Sequence, residues 1–135
     1  MNSRKQGDLG SSFAIAYFSS IGYTVALPLA DSQPYDLIVE KDGICQRIQV
    51  KTTFKKNKNN KYSLETRTIS NTRGKKLEIR KLSPSDFDLL FAMDGDGKFY
   101  VIPSSDLENV SQLSLSSRQR YCVILKTIFG SDVNS

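Results

Sequence analysis

A turn sequence at residues 41–43 constrains the fold of this chain more than any other feature. Lys41-Asp42-Gly43 is typical of a tight β-hairpin turn, because Asp and Gly tolerate the positive φ angles that such turns need. The flanking residues, 35–40 and 44–51, are rich in β-favouring side chains. They therefore predict two antiparallel strands paired around this turn.

Three polar side chains fall together on this predicted hairpin. Asp36 follows Pro34-Tyr35 at the start of the first strand, and Gln49-Val50-Lys51 ends the second. Side chains alternate between the faces of a strand, so Gln49 and Lys51 share one face while Val50 points to the other. Pairing across the hairpin places Asp36 near them, so an acid, an amide oxygen and an ammonium group can converge. The structural alternative is an exposed Asp36–Lys51 ion pair.

These residues resemble the signature of the PD-(D/E)XK nuclease superfamily, in which Pro-Asp is followed, across a β-hairpin, by an acidic residue, any residue and Lys. Gln49 fills the acidic position here, as in a Gln variant found in a bacterial homing endonuclease encoded by a group I intron of a transfer RNA gene. The resemblance covers roughly residues 4–103. Its further matches are Lys5–Gly10, Gly22–Val25, Gln49–Thr53 and Phe99–Pro103.

One position departs from the family pattern on the first predicted helix. Such nucleases often carry Glu there, just after the second Gly, where this chain has Ser11. Asp8 is the nearby acidic substitute. A simpler role for Asp8, stabilisation of the helix dipole by an acid in the first turn, stays open.

The resemblance implies hydrolysis of DNA phosphodiester bonds with a divalent cation, Mg²⁺ or Mn²⁺. The implied metal ligands are Asp36, the Gln49 side-chain carbonyl, the Val50 backbone carbonyl and Asp8; the implied catalytic residues are Asp36, Gln49, Lys51 and Asp8. Lys51 would position the nucleophile or stabilise the charge of the transition state. Because Gln49 replaces a carboxylate, we expect weak metal binding by the free protein.

Histidine is absent from the chain, which excludes His-based triads, HNH nucleases and zinc fingers that use His. No Walker loop and no Gly-x-Gly-x-x-Gly after a strand is present, so nucleotide binding has no support. Any hydrolysis must therefore depend on carboxylates, Lys and metal.

Positive charge is concentrated in one region. Residues 51–81 hold 11 of the 19 Lys and Arg residues, but only Glu65 and Glu78 of the 14 acidic residues. Such a localised basic region is typical of a surface that contacts phosphates. For the lysine-rich loop alone, a solvated mobile segment is the simpler interpretation.

The sequence after this loop predicts a basic β-ribbon, with strands at 62–69 and 76–82 and a turn at 71–74. A two-stranded ribbon fits the DNA major groove; the alternative is an ordinary charged hairpin at a sheet edge. The candidate DNA-binding residues are Lys55, Lys56, Lys58, Lys61, Arg67, Arg73, Lys75, Lys76, Arg80 and Lys81.

The order of elements predicts one α/β domain over residues 1–135, with a restriction-endonuclease-like core: a central mixed β-sheet flanked by helices, with the basic loop and ribbon inserted at about 54–82. A helix is expected at 4–21, and strands at 23–27, 35–40, 44–51, 88–93, 98–102 and 121–125. Asp94–Gly97 predicts a hairpin turn rather than a calcium loop, because the later calcium ligands are missing.

The resemblance implies double-stranded DNA with a pseudo-palindromic target as the partner. A chain this small needs several copies to read a long site, and the resemblance implies a homotetramer, or at least a homodimer. We expect residues 104–135 to help form it, through Leu113, Leu115, Val123, Ile124, Leu125 and Ile128. Without a long apolar run or a secretory signal, the sequence predicts a cytoplasmic protein that associates with the nucleoid and has no membrane contact.

Three other functions remain open from the sequence. A restriction enzyme or a Holliday-junction resolvase would share the nuclease core and differ in substrate. In a non-catalytic DNA-binding module, Gln49 would mark the decay of a former catalytic site. An RNA-binding or ribosome-associated protein would explain the charge but not the set formed by Asp36, Gln49 and Lys51.

Overall fold

The computed structural model of the protein describes residues 2–65, 67–70, 78–81, 83–108, 110 and 112–125, and for residues 65, 67–70 and 78–81 it describes the backbone. The elements are α1 (Ser3–Ser20), β1 (Thr24–Ala26), β2 (Leu37–Lys41), β3 (Ile44–Thr53), β4 (Ser63–Glu65), β5 (Arg67–Ser70), β6 (Glu78–Lys81), β7 (Leu89–Asp94), β8 (Phe99–Pro103), β9 (Gln112–Ser114) and β10 (Cys122–Val123). Short 3₁₀ helices span Pro84–Asp86, Ser104–Leu107 and Ser116–Tyr121.

Six strands form a central mixed sheet in the order β1-β2-β3-β7-β8-β10. Its neighbouring strands are antiparallel except β3 and β7, which run parallel. The predicted hairpin of β2 and β3 is confirmed, with Leu37 opposite Ile48. Asp42 and Gly43 have φ angles of 54° and 80°, as its turn requires.

Helix α1 packs on the first face of the sheet. The Asn2 side chain accepts a hydrogen bond from the Lys5 backbone N–H at 2.9 Å, which caps the helix N-terminus. Gly10, Ala14 and Phe18 recur every four residues and form the buried side of the helix. They pack against alternate residues of the strands, among them Val39, Ile48, Val50, Phe91 and Phe99.

The second face of the sheet is covered only in part. Leu90, Ala92, Tyr100 and Ile102 point to this face and are buried by side chains from other segments, namely Leu64, Phe87, Leu107, Leu113 and Leu115. Over β1 the same face is open, because Thr24 and Ala26 are exposed. The cover thus ends near β3, where the polar set was predicted.

The predicted α/β fold with a central mixed sheet is confirmed, but the layers that cover the sheet differ from the expected flanking helices. In the described residues one α-helix covers the first face, and 3₁₀ helices, loops and the β4–β9 pair cover the second. The predicted single strand at 62–69 is two strands: β4 pairs with β9, a strand that was not predicted from the sequence, and β5 pairs with β6. The pairing of Arg67 with Lys81 confirms that the two strands of the ribbon pair, and the turn predicted at 71–74 lies outside the described residues.

The C-terminal segment contributes to the core of the subunit itself. Leu113 and Leu115 are almost completely buried there, so the expectation that they meet another copy is wrong. Ile124 remains exposed, whereas Val123 and Leu125 are partly buried against the hydrophobic core between α1 and the sheet. Ile128 lies outside the described residues. Among the described helices, none has the length and apolar character needed to span a membrane.

Candidate active site

Asp36 lies at the point where the pairing of β2 with β3 ends. The last pair of this register is Leu37 with Ile48, and Asp36 directly precedes it. The Asp36 backbone N–H donates to the Ile48 carbonyl at 2.8 Å, and its carboxylate Oδ2 accepts from the Val50 N–H at 2.7 Å. The carboxylate thus takes the place of the backbone carbonyl that a longer β2 would supply.

The same geometry orients the Val50 carbonyl. In an antiparallel pair, the N–H and C=O of one residue point to the same neighbouring strand. Since the Val50 N–H points to Asp36, the Val50 carbonyl also points to that side of β3, past the last backbone pairing with β2. A carboxylate oxygen and a peptide oxygen therefore face the same gap.

Gln49 and Lys51 lie on the second face of the sheet, away from α1. In the parallel pairing Gln49 lies beside Leu90 and Lys51 beside Ala92. Leu90 and Ala92 both belong to the hydrophobic core on the second face of the sheet, called the second core below. Gln49 and Lys51 are half-buried at the edge of that core. Gln49 and Lys51 therefore share one face of β3, and the Asp36 carboxylate reaches β3 at Val50, the residue between them.

Opposing effects act on the Asp36 carboxyl group. Burial of the carboxylate is the larger effect and raises its pKa above the ordinary 3.8, although the residue as a whole is exposed. The hydrogen bond from Val50 and the positive charge of Lys51 lower the pKa and offset part of that rise. Lys51 is therefore close enough to Asp36 to influence its charge.

A cavity of about 230 Å³ opens next to Asp36. Besides Asp36 and Tyr35, its walls come from the loop that joins β1 to β2, including Leu29, Asp31 and Gln33. Leu29 is fully exposed, and Asp31 adds a second carboxylate to the same cavity. Neither residue was predicted from the sequence; the available signal was a polar, Pro-containing loop directly before the Pro-Tyr-Asp signature.

An ion pair holds β3 against β7 at the point where their parallel pairing begins. Arg47 donates to the Asp88 carboxylate from its backbone N–H at 2.7 Å and from its guanidinium group at 3.3 Å. In return the Asp88 N–H donates to the Arg47 carbonyl at 2.9 Å. These contacts set the parallel register two residues before Gln49, and the guanidinium group lowers the pKa of Asp88.

The structure does not bring Asp8 to the other three predicted residues. Asp8 is exposed on α1, two positions and so about 200° around the helix from the buried Gly10. In the described part of the chain, no hydrogen bond or ion pair joins it to Asp36, Gln49 or Lys51. Ser11 is half-buried and directly follows Gly10, which packs on Val50 and Thr52.

The predicted DNA-binding residues are only partly described. Lys55, Lys56, Lys58 and Lys61 are exposed on the loop between β3 and β4. Arg67, Arg80 and Lys81 lie on the ribbon, where the backbone is described. Arg73, Lys75 and Lys76 lie outside the described residues.

The donor set suits a hard divalent cation. Asp36, the Val50 carbonyl and the Gln49 amide offer oxygen atoms only, which Mg²⁺ prefers. The set is poor in charge, because the described residues contain no cluster of three or more acidic, His or Cys side chains suited to a metal. Asp31 lines the same cavity as Asp36 and is a further source of negative charge.

Comparisons with known proteins agree with this geometry. The chain is similar to the solved structure of a bacterial homing endonuclease, I-Ssp6803I, with a TM-score of 0.75 and 27% sequence identity, over 97% of this chain and 88% of that one. No curated protein sequence matches it. The family model described as PD-(D/E)XK endonuclease matches residues 1–120. Because that match spans most of its length, the chain belongs to the PD-(D/E)XK endonuclease family.

Proposed function

We propose that this nuclease is a site-specific endonuclease for double-stranded DNA, of the intron-encoded homing type, and that it requires Mg²⁺ or Mn²⁺. The observation that carries the proposal is the Asp36 carboxylate, held at 2.7 Å by the N–H of Val50, the residue between Gln49 and Lys51. An ion pair between Asp36 and Lys51 alone would need neither the Val50 hydrogen bond nor the adjoining cavity.

Each residue has a distinct part in this proposal. The Val50 N–H fixes the Asp36 carboxylate in one orientation, so its free oxygen faces the gap at the end of β2. Lys51 brings a positive charge to the scissile phosphate, where it stabilises the negative charge that grows in the transition state. Gln49 adds a neutral oxygen, and the cavity beside Asp36 leaves room for the DNA backbone.

Asp36, the Gln49 side-chain oxygen and the Val50 carbonyl would hold the divalent cation. A bound cation supplies Lewis-acid stabilisation and a water molecule of lowered pKa. Because Asp36 is the one carboxylate among these three ligands, the free protein binds the cation weakly and DNA phosphates strengthen that binding. Tight Mg²⁺ binding in the absence of DNA, measured by calorimetry, would contradict this view.

The recognition of a long target needs more than one subunit, and we propose a homotetramer acting on a pseudo-palindromic site. The exposed Ile124 is the described C-terminal side chain best placed for contact between copies. Truncation after Pro103 is unsuitable as a test, because it removes Leu113 and Leu115 from the core of each subunit. Replacement of Ile124 by Asp, followed by sizing in solution, is the cleaner test.

The decisive experiment measures cleavage and binding for Lys51→Ala, with Lys41→Ala as the matched control. Lys41 lies at the far end of β2, where it hydrogen-bonds the Ile21 carbonyl at 3.1 Å. On duplexes that span candidate intron insertion sites, we expect Mg²⁺-dependent cutting by the wild type and by Lys41→Ala. Lys51→Ala should bind the same duplex and cut at least about 100-fold more slowly, the usual range for a lost transition-state contact.

Other outcomes would favour the alternative functions. Selective binding without cutting by any of the three proteins would favour a non-catalytic DNA-binding module, which the neutral Gln49 at the site makes the main competitor. Cutting of a four-way junction in preference to a linear duplex would favour a resolvase. Stronger binding of RNA than of DNA would contradict the proposal.

A further inference from the structure

The lysine-rich loop between β3 and β4 has a defined structure. The Asn57 side-chain oxygen accepts hydrogen bonds from the backbone N–H groups of Asn59 and Lys61 at 2.9 and 3.0 Å. The Asn57 N–H donates to the Lys61 carbonyl at 2.8 Å, and Asn60 takes a positive φ of 59° to close the turn. This loop, residues 54–62, therefore contains a hydrogen-bonded turn of its own.

Tyr62 fastens this basic loop to the turn between β7 and β8, residues 94–98. Its hydroxyl group donates to the Asp96 carboxylate at 3.2 Å. Its ring lies against Gly95, where a Cβ atom would come within 2.7 Å of the hydroxyl oxygen. The Lys56 ammonium group lies 5.3 Å from the centre of the same ring, so Tyr62 also positions a lysine.

Lys98 brings a further positive charge to this place. It is exposed at the end of the 94–98 turn, and it lines one open cavity of about 170 Å³ together with Lys56 and Lys61. The two acids of the turn line the same cavity, but both already accept hydrogen bonds from within the protein. Asp94 is buried and accepts from the backbone N–H groups of Asp96 and Lys98, and Asp96 accepts from Tyr62.

The turn also lies close to the candidate active site. Ala92 is the partner of Lys51, and Asp94 follows it two residues later, about 7 Å along the strand. Phosphates on one DNA strand are spaced about 3.4 Å along the duplex axis. A duplex whose scissile phosphate lies at Lys51, and whose axis follows β7, carries neighbouring phosphates past this turn.

We propose that the 94–98 turn is part of the DNA-binding surface: Tyr62 and Asp96 hold the basic loop in its binding position, and Lys98 contacts a backbone phosphate beside Lys56 and Lys61. This inference rests on the proposed action on duplex DNA. It adds a phosphate contact and two positioning residues that were not predicted from the sequence. Duplex DNA fits better than an acidic protein, because the turn begins about 7 Å along β7 from the partner of Lys51, which is about two phosphate spacings.

Two substitutions of Asp96 separate its hydrogen bond from its charge. Asp96→Asn and Asp96→Ala both remove one negative charge, but only Asn can still accept the hydrogen bond from Tyr62. Binding to a random-sequence duplex should be about three- to ten-fold weaker for Asp96→Ala than for Asp96→Asn, the range of one net hydrogen bond. Tyr62→Phe should bind more weakly than the wild type by a similar factor. The double variant Tyr62→Phe/Asp96→Ala should bind no more weakly than Asp96→Ala, because both changes remove the same hydrogen bond.

Equal affinities for Asp96→Asn and Asp96→Ala would overturn the positioning role, since charge alone would then explain both. Thermal unfolding of each variant shows whether it is folded at the temperature of the binding assay. If Asp96→Ala lowered only the melting temperature and left affinity unchanged well below it, the contact would be merely structural, and the proposed role would also be wrong.

The salt dependence of binding tests Lys98 directly. Lys98→Gln is compared with Lys41→Gln, which removes the same charge at the far end of β2. One lost phosphate contact lowers the slope of log affinity against log salt by about 0.9, which amounts to about 3.5-fold across a fourfold range of salt. We expect this change per bound subunit for Lys98→Gln and none for Lys41→Gln; an unchanged slope for Lys98→Gln would overturn the contact.

Failure of this inference is distinguishable from failure of the proposed function. A wild-type protein that cuts its target while Lys98→Gln keeps the full salt slope would leave the nuclease proposal intact and remove the inference. A protein that never cuts, but whose salt slope falls in Lys98→Gln, would support the DNA-binding surface and contradict the endonuclease.

Discussion

Two glycines of α1 make opposite predictions for the same substitution. Gly10 faces the sheet, where a methyl group would overlap the Thr52 side chain and lie 3.2 Å from Val50. At Gly7, on the same helix, an added methyl group would have nothing within 4 Å. The further match at Lys5–Gly10 contains both glycines, but only Gly10 has a packing reason to be glycine.

The size of the effect follows from two opposing contributions. Alanine in a helix interior is favoured over glycine by about 0.5–1 kcal/mol, so Gly7→Ala should stabilise the protein by about that amount. At Gly10 the same gain is offset by overpacking, which costs about 1–3 kcal/mol. The two variants should therefore differ by about 1–3 kcal/mol in the free energy of unfolding.

Thermal unfolding followed by circular dichroism measures this difference. For a chain of 135 residues, 1 kcal/mol corresponds to roughly 3.5 °C, so the melting temperatures should differ by about 3.5–10 °C, with Gly10→Ala the lower. Thr52→Ser removes the overlapping methyl group and should recover part of the loss in the double variant Gly10→Ala/Thr52→Ser. Equal stabilisation by Gly7→Ala and Gly10→Ala would refute the close approach of α1 to β3.

The acids near the site predict opposite effects of pH. Burial raises the pKa of Asp36 in the folded protein, so the ionised carboxylate destabilises the fold above that pKa. Asp36→Asn still accepts the hydrogen bond from Val50 and should therefore be more stable than the wild type near pH 7. This gain in stability should shrink as the pH falls through the pKa of folded Asp36. Arg47 lowers the pKa of Asp88, so its stabilisation is complete above the ordinary 3.8 and is lost as pH falls through the lower, folded pKa. Asp88→Asn should therefore cost up to about 1 kcal/mol near pH 7, since the pair is partly exposed, and nothing in strong acid. Urea unfolding across pH measures both; a stability loss in Asp36→Asn at neutral pH, or a pH-independent loss in Asp88→Asn, would contradict the assigned causes.

Local sequence signals were sufficient for the candidate site. The turn at Asp42-Gly43 fixes which residues of β2 and β3 face each other, and alternation then places Gln49 and Lys51 on one face. Every step spans fewer than 20 residues. The register of a hairpin follows from its turn, so a short pattern can predict a site that consists of two paired strands.

Contacts between distant residues gave no such signal. Leu64 pairs with Leu113, and Arg47 binds Asp88 at a separation of 41 residues. An apolar residue near the C-terminus fits a subunit core and an interface between copies equally well, so the sequence could not show that Leu113 and Leu115 complete the second core. Likewise, periodicity showed a helix at residues 4–21 but did not single out Gly10, Ala14 and Phe18 as its buried side, so the direction of Asp8 was not available.

The raised pKa of Asp36 links metal binding to the stability of the fold. The hairpin holds a partly buried carboxylate with one backbone N–H and one nearby ammonium group, and these do not fully offset the cost of burial. A cation bound at this carboxylate favours its ionised form, so binding relieves a cost that the free protein carries. A ligand that binds only the folded state stabilises it in proportion to the logarithm of its concentration once its concentration exceeds the dissociation constant. If Asp36 is a metal ligand, Mg²⁺ with DNA present should therefore stabilise the wild type more than Asp36→Asn, and the site would be least stable in the absence of both ligands.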